Sequence, residues 1–239
     1  MHFSIKAFTF IFFLTSSITF AKEVDPNTYA DKFPTVPKNA RVAVLPIAYD
    51  FAAVPQELPI IQDALINELK LLKFSPLKVK LDANSAPIGV NKLFMLSNQA
   101  HKDIRSQKQA FVLGIKDQVA YDIALIPAVV SRTAKLSGQM VIWDHVKQRL
   151  EIKGFGSGSN REWSGTRLGL SLEIDAYDSA GAWLFTSYGG ISNPYIINTK
   201  EEMNELKPRL FDSEKDKELL QKGVEAALEP LKKKIKISD

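Results

Sequence analysis

The sequence has no cysteine. Disulfides, thiolate metal sites, thiol nucleophiles and a lipid-modified N-terminal cysteine are therefore excluded. Histidine is nearly absent too: beyond position 2 only His101 and His145 occur. Two distant histidines without cysteine give no zinc spacing, so no metal or other cofactor is expected. Glycine and proline, 12 each in 239 residues, are too few for a collagen or a linker chain. Neither sign of charge dominates: 31 Lys+Arg against 27 Asp+Glu leave a net +4. Nucleic-acid binders show a clustered basic face, so nucleic acid is not expected as a partner. No asparagine opens an Asn-x-Ser/Thr sequon, which favours a bacterial envelope over a eukaryotic secretory route. A hydrophobic share of 45% is too high for a disordered chain.

Long apolar runs are confined to residues 1–21. Lys6 precedes an apolar stretch from Ala7 to Phe13, broken only by Thr9. Thr19-Phe20-Ala21 fits a small-x-small cleavage site. This is the layout of a secretory signal peptide cut after Ala21. Thr15-Ser16-Ser17 interrupts the run before it could span a bilayer. Loss of Lys6 lowers the net charge by one. The expected product is untethered, either periplasmic or fully exported.

Residues 22–40 hold Pro26, Pro34 and Pro37 and show no periodicity. They read as an extended arm that drapes over the domain through Tyr29 and Phe33 or stays disordered. Residues 41–239 read as one globular domain. Arg41 to Ile47 is a buried strand that Pro46 ends or bulges. Leu58, Ile61, Leu65, Leu69 and Leu72 form the apolar face of a helix, with Pro59 in its first turn. Leu77 to Leu81 alternates as a half-buried strand. Strand, helix, strand is a βαβ-like opening with parallel pairing.

Leu93, Leu96, Ala100 and Ile104 form a second helical stripe, and the apolar stretch Ala110 to Leu113 stops at Gly114. Tyr121 to Val130 is the next strand, with Pro127 implying a bulge or an edge. Met140 to Trp143 and Leu150 to Ile152 are shorter strands. Leu168, Leu170, Leu172, Ile174 and Ala176 alternate with Arg167, Gly169, Ser171, Glu173, Asp175 and Tyr177. Asp178-Ser179-Ala180-Gly181 turns this strand back into Ala182 to Tyr188, and Gly189-Gly190 breaks the run. A final helix is capped by Ser213 with Asp216, and Leu220, Val224, Ala227, Leu228 and Leu231 are its buried stripe. Pro230 kinks it or ends it early. The expected fold class is α/β (α+β): a single mixed sheet with a βαβ-like first half, a C-terminal β-meander and a closing C-terminal helix.

Chemistry is sparse. Gly154-Phe155-Gly156-Ser157-Gly158-Ser159 lacks the serine elbow, the Walker pattern and the third glycine of a dinucleotide loop. Asp144 and His145 adjoin, which fits a polar turn better than a catalytic dyad. Glu173 and Asp175 share a strand face and could serve acid–base work. With Arg167 on that face, a solvated charged surface is the expected reading. Arg161, Trp163 and Arg167 flank a Gly/Ser-rich loop, and Trp and Arg are favoured anchors at protein interfaces. Trp163 is either an exposed anchor or a lid over the sheet. Trp143 and Trp183 are expected in the core or on the sheet surface. Lys232, Lys233, Lys234 and Lys236 suit the end of a helix dipole, with peripheral contact to anionic lipid as the sharper reading.

The opening RVAVLPI, the amphipathic helix after it and the late LGLSLEIDAYDSAGAWLF together resemble the TolB N-terminal-like envelope α/β domain, also found in relatives of the CsgG and LpoB lipoproteins. The likeness spans residues 41–231 without a shared site motif. It implies a non-enzymatic role in envelope assembly, transport or partner activation through protein contacts. The missing lipobox cysteine departs from the lipoproteins. The leading expectation is a soluble periplasmic accessory protein that binds an envelope protein through Arg161, Trp163 and Arg167 or an uncovered sheet edge. The alternatives are a hydrolase using Asp144, Glu173 or Asp175, and a small-ligand or glycan binder using exposed aromatics.

Overall fold

Two sixteen-residue strands, β5 (Ile123–Gly138) and β9 (Trp163–Asp178), form the spine of the structure. They pair antiparallel from Ile123 opposite Asp178 to Gly138 opposite Trp163. Strict alternation in β9 explains why they pair here: Leu170, Leu172, Ile174 and Ala176 all point to one face and are fully buried. The structure is a computed structural model, and it describes residues 26–31, 33–80, 101–154, 163–200 and 203–234. Residues 1–25, with the expected cleavage after Ala21, lie outside the described residues.

Beyond β9 lie β10 (Trp183–Ser192) and β1 (Thr28–Tyr29); beyond β5 lie β2 (Arg41–Val44) and β4 (Ser75–Lys78). β2 runs parallel to both β4 and β5, so the βαβ opening is present. β3 (Ala48–Tyr49) continues the parallel pairing with β5. β6 (Met140–Trp143) and β7 (Val146–Arg149) form a hairpin against the far end of β5. The result is a mixed nine-stranded sheet among the described residues. A single sheet was expected, but there is a second, small one: β8 (Ile152–Lys153), β11 (Tyr195–Asn198) and β12 (Met203–Leu206). The chain after Ser192 leaves the main sheet at Asn193-Pro194 and pairs with β8 instead.

Helix α1 (Leu58–Leu71) has Pro59 in its first turn, where no N–H is needed. It ends with Lys73 in the left-handed region, so that Phe74 N–H reaches back to the Leu69 carbonyl. Helix α2 (His101–Ile115) includes the Ala110 to Leu113 stretch and runs through Gly114. Helix α3 (Glu214–Lys234) closes the fold. Its cap is as read: Ser213 Oγ accepts the Asp216 N–H at 3.2 Å and donates to the Asp216 carboxylate at 2.6 Å. α1 and α3 cover one sheet face, where Ile61, Leu65, Leu69, Leu220, Val224 and Leu228 meet the buried residues of β9. α2 covers part of the other face through Phe111, Val112 and Ile115. The fold is α+β, with a mixed sheet and a closing C-terminal helix.

Several local expectations change. Pro127 marks neither a bulge nor an edge: it sits in the central strand β5, opposite Ile174 in unbroken register. Leu125 and Val129 both turn their carbonyls toward the β2–β3 side, so Pro127 faces that side as well. There the ladder is already interrupted between β2 and β3, and the missing N–H costs nothing. The strand expected over Leu77 to Leu81 lies at Ser75–Lys78. Leu150 to Ile152 gives way to β7 before it and β8 after it. α3 runs four residues beyond Pro230, because Leu228 and Leu231, both fully buried, hold it on the sheet against one lost bond.

Gly189-Gly190 does not break β10, which continues to Ser192. The two glycines are there for close approach. A Cβ on Gly190 would lie 2.6 Å from the Trp143 indole nitrogen, while the Gly190 carbonyl oxygen would lie 2.3 Å from a Cβ on Gly223 of α3. The arm drapes as one reading held: β1 pairs with β10, and Phe33 packs 5.5 Å from the Phe185 ring. Tyr29 remains exposed.

Candidate functional site

The polar face of β9 is not the solvated surface expected from its charges. The Glu173 and Asp175 side chains are only 15% and 7% exposed. The cause is α2, which lays Lys108 over them with its own side chain 8% exposed. Lys108 Nζ lies 3.5 Å from Glu173 Oε1 and donates a short hydrogen bond to Asp175 Oδ2. Cross-strand register supplies the remaining partners. Thr186, opposite Asp175, donates its hydroxyl to Asp175 Oδ1, and Tyr188 stands opposite Glu173 and bonds its carboxylate. An open cleft of about 450 Å³ lies over the cluster, walled by Tyr177, Tyr188, Thr28 and Arg105. At its rim the Arg105 guanidinium stacks 4.0 Å from the Trp183 ring.

Burial is the main influence on this cluster. It pushes the Glu173 pKa up, the Asp175 charge adds to the rise, and Lys108 opposes both. Tyr177 and Tyr188 are raised for the same first reason, with the neighbouring carboxylates adding to it.

Asp144 and His145 form the β6–β7 turn, both with positive φ, at 30° and 66°. The expected polar turn is therefore present. Asp144 instead serves the sheet. Arg132 Nε donates to Asp144 Oδ2 at 2.9 Å and Arg132 Nη2 to Oδ1 at 3.3 Å, while Ser171 Oγ donates to Oδ2 at 2.6 Å. Burial works against the Arg132 cation, but Asp144 more than offsets it, and its pKa ends up raised. Arg132 also stacks 4.4 Å from the Tyr188 ring. A continuous polar chain thus runs along the face from Asp144 through Arg132 and Tyr188 to Glu173, Lys108 and Asp175.

Of the expected interface residues, Arg161 lies outside the described residues, as does most of the Gly/Ser loop. Trp163 is half-buried at the start of β9 and packs against the apolar group that includes Trp143, Val146 and Leu219. Arg167, also half-buried, sits 5.7 Å from the Tyr195 ring. Its three guanidinium nitrogens are shut off from solvent and have no hydrogen-bond partner among the described residues, and burial lowers its pKa. Trp143 is a core residue, 2% exposed, and donates to the Leu170 carbonyl. Lys232, Lys233 and Lys234 are exposed on the last turn of α3; Lys233 pairs with Glu229 and Lys234 approaches Phe33. Lys236 lies outside the described residues.

A second groove was not foreseen, because Val146-Lys147-Gln148-Arg149 is too polar to read as a strand. It has a volume of about 560 Å³ and follows the chain from His145 to Glu151. Its opposite wall is the first half of α3, through Ser213, Lys215, Glu218, Leu219 and Lys222. Among the described residues β7 pairs with β6 alone within the main sheet. Leu150 N–H donates to the Gln139 carbonyl, which places Val146, Gln148 and Leu150 on the β6 side. By alternation the N–H and C=O of Lys147 and Arg149 face away from β6, on the side where Gly190 N–H reaches the Asp144 carbonyl and Ile197 N–H the Glu151 carbonyl. Among the described residues these backbone groups have no hydrogen-bond partner.

No family model matches the chain, and no curated protein does. Among solved structures it is similar to PelC from Paraburkholderia phytofirmans, solved as a dodecamer. One PelC form has 14% identity over 88% of this chain and 99% of that one, with a TM-score of 0.38. A point variant of PelC has 12% identity over 88% and 97%, with a TM-score of 0.39. A neuraminyllactose-binding hemagglutinin homolog from Helicobacter pylori has 10% identity over 88% and 93%, with a TM-score of 0.32. Likenesses at such TM-scores do not bear on function.

Proposed function

We propose that this chain is an accessory binding protein of the bacterial envelope, exported by residues 1–21 and working through contacts with another envelope protein. The TolB N-terminal-like resemblance belongs to the same reading. The observation that carries it is the state of the three carboxylates best suited to hydrolysis. A catalytic carboxylate must offer a lone pair or a proton to substrate. Both Asp144 oxygens accept hydrogen bonds from Arg132 and Ser171, and both Asp175 oxygens from Lys108 and Thr186. Glu173 is held by Lys108 and Tyr188. These groups serve the sheet, which leaves surfaces and edges for recognition. The proposed contact set is Arg161, Trp163 and Arg167, the last two near the start of β9.

The test is crosslinking of the tagged full chain in envelope-bearing cells, followed by recovery of the mature form. The expected mature form starts at Lys22 and brings down one envelope protein that the Arg161→Ala, Trp163→Ala double variant loses. Retention of every crosslinked partner by that variant removes those two residues from the surface. A chain that keeps residues 1–21 overturns cleavage after Ala21.

The cleft over Glu173 and Asp175 supports a second reading, a small-ligand or glycan site lined by Tyr177 and Tyr188, with Trp183 stacked on the rim residue Arg105. Its volume lies within the usual range for ligand pockets, ~300–1,000 Å³. Trp183 fluorescence that responds to one member of a ligand panel, and fails to respond in Glu173→Gln, supports that reading; a flat response across the panel removes it. Hydrolysis that depends on Glu173 would move the protein into the enzyme class.

A further inference from the structure

We infer that the end of the molecule where α1 and α3 finish is a docking surface for an anionic lipid bilayer. This goes beyond the protein contacts proposed above and uses other residues. The two helices run side by side in the same direction. Leu210 N–H, just ahead of α3, donates to Glu57 Oε1 at the start of α1 at 3.3 Å. Further along, Gln221 Nε2 donates to Glu68 Oε2 at 2.7 Å. At the far end one turn of the chain ties both helix ends together. Val36 N–H donates to the Lys234 carbonyl and Asn39 N–H to the Lys73 carbonyl, each at 2.8 Å. Three residue steps, at most about 11 Å of backbone, separate these two contacts.

Local chemistry makes this end cationic. Helix C-termini favour lysine, because the unpaired carbonyls there carry partial negative charge. α1 brings Lys70 and, just past its last turn, Lys73; α3 brings Lys232, Lys233 and Lys234; the turn that ties them brings Lys38. All six are exposed. Of the acidic groups nearby, Glu229 pairs with Lys233 at 3.5 Å, Asp122 pairs with Arg41 at 3.1 Å, and Glu68 is buried against Gln221. Positive charge therefore predominates.

Leu71 selects the occupant. It lies between Lys70 and Lys73 and is 68% exposed, the most exposed large apolar side chain among the described residues. A nucleic-acid backbone would meet the lysines and leave this leucine in water. At a bilayer the leucine enters the boundary between headgroups and acyl chains, while the lysines meet the lipid phosphates. Long lysine stems let the ammonium groups stay among the phosphates as Leu71 goes deeper. Neither of the two clefts described above includes these residues, and a bilayer surface needs none.

The full chain and its variants are mixed with vesicles of phosphatidylcholine alone, or of equal parts phosphatidylcholine and phosphatidylglycerol, and binding is read by sedimentation. Residues 1–21 are common to every form, so their apolar contribution enters both vesicle types and drops out of the ratio between them. The unaltered chain is expected to prefer the anionic vesicles, and to prefer them less as salt rises. A lysine near an anionic surface is worth about fivefold in binding. The triple variant Lys38→Gln, Lys70→Gln, Lys232→Gln should therefore lower the ratio tenfold or more. Leu71→Ser keeps every charge and should weaken binding to the anionic vesicles severalfold. Circular dichroism of each variant separates lost binding from lost fold. Equal binding of the unaltered chain to both vesicles, or an unchanged ratio in the folded triple variant, overturns the site. Leu71→Ser that binds like the unaltered chain removes the bilayer as the occupant, and a DNA duplex held through the same lysines would then make this a general polyanion surface.

Discussion

Gly189 of β10 and Gly223 of α3 meet with no room for a side chain between them: a Cβ on Gly189 would lie 1.8 Å from the Gly223 carbonyl oxygen. This contact sets how closely the closing helix approaches the sheet. Replacing a mid-helix glycine by alanine ordinarily stabilises a helix, by about 1 kcal/mol. Here the sign should reverse. A Cβ on Gly223 would meet the Gly190 carbonyl at 2.3 Å, and backbone cannot rotate away. Gly223→Ala should therefore cost at least 1–3 kcal/mol, the range for overpacking, ~1–3 kcal/mol, being a lower bound for a backbone clash. Urea denaturation reads the shift in midpoint, and a gain in stability would show that the helix can lift off the sheet without loss.

Lys108 neutralises two carboxylates that the fold has taken out of water. Lys108→Met should strand Glu173 and Asp175 together and cost about 3–5 kcal/mol, as when one partner of a buried ion pair is removed. Adding Glu173→Gln and Asp175→Asn to Lys108→Met should restore most of the loss. Thermal unfolding of the single and triple variants checks this; equal melting points for the two would mean that the charges do not interact.

The raised pKa of Glu173 gives stability a direction in pH. The folded state holds this proton more tightly than the unfolded chain, whose glutamate titrates near 4.5. Its contribution is therefore complete below 4.5 and is lost as pH rises toward the higher folded value. Glu173→Gln should flatten that part of the profile. Denaturation midpoints from pH 4 upward, compared between the two proteins, show whether the slopes differ.

The β6–β7 turn holds Asp144 and His145 at positive φ, where glycine and asparagine are at home. His145→Gly should be neutral or gain up to ~1 kcal/mol from relief of the left-handed strain. Asp144→Ala should instead destabilise, because it leaves the Arg132 guanidinium and the Ser171 hydroxyl without their acceptor. Opposite signs for neighbouring residues in one turn separate backbone strain from ion pairing.

What could be read from the sequence was local. The Leu168 to Ala176 alternation and the Asp178 to Gly181 turn specify the hairpin, since period and turn chemistry are written within a few residues of each other. Ser213 with Asp216 marks the start of α3 for the same reason. What stayed hidden depends on partners far along the chain. Nothing near Glu173 and Asp175 shows that Lys108 covers them, so their charge alone suggested a wet surface. Gly189-Gly190 looked like punctuation until Gly223 was seen against it. β7 was missed because so polar a strand carries no apolar pattern.

The N-terminal arm shows how the molecule closes. Thr28 and Tyr29 pair with Thr186 and Phe185, and Asn27 Oδ1 accepts the Tyr188 N–H, so the first described residues seal the edge of a strand near the other end of the chain. Pairing across so long a loop gains nothing until the hairpin of β9 and β10 exists. The seal therefore follows the hairpin in folding, and until it forms this stretch of the β10 edge stands open. A chain emerging slowly, N-terminus first, carries its own gatekeeper strand from the start but cannot use it until most of the sequence has arrived.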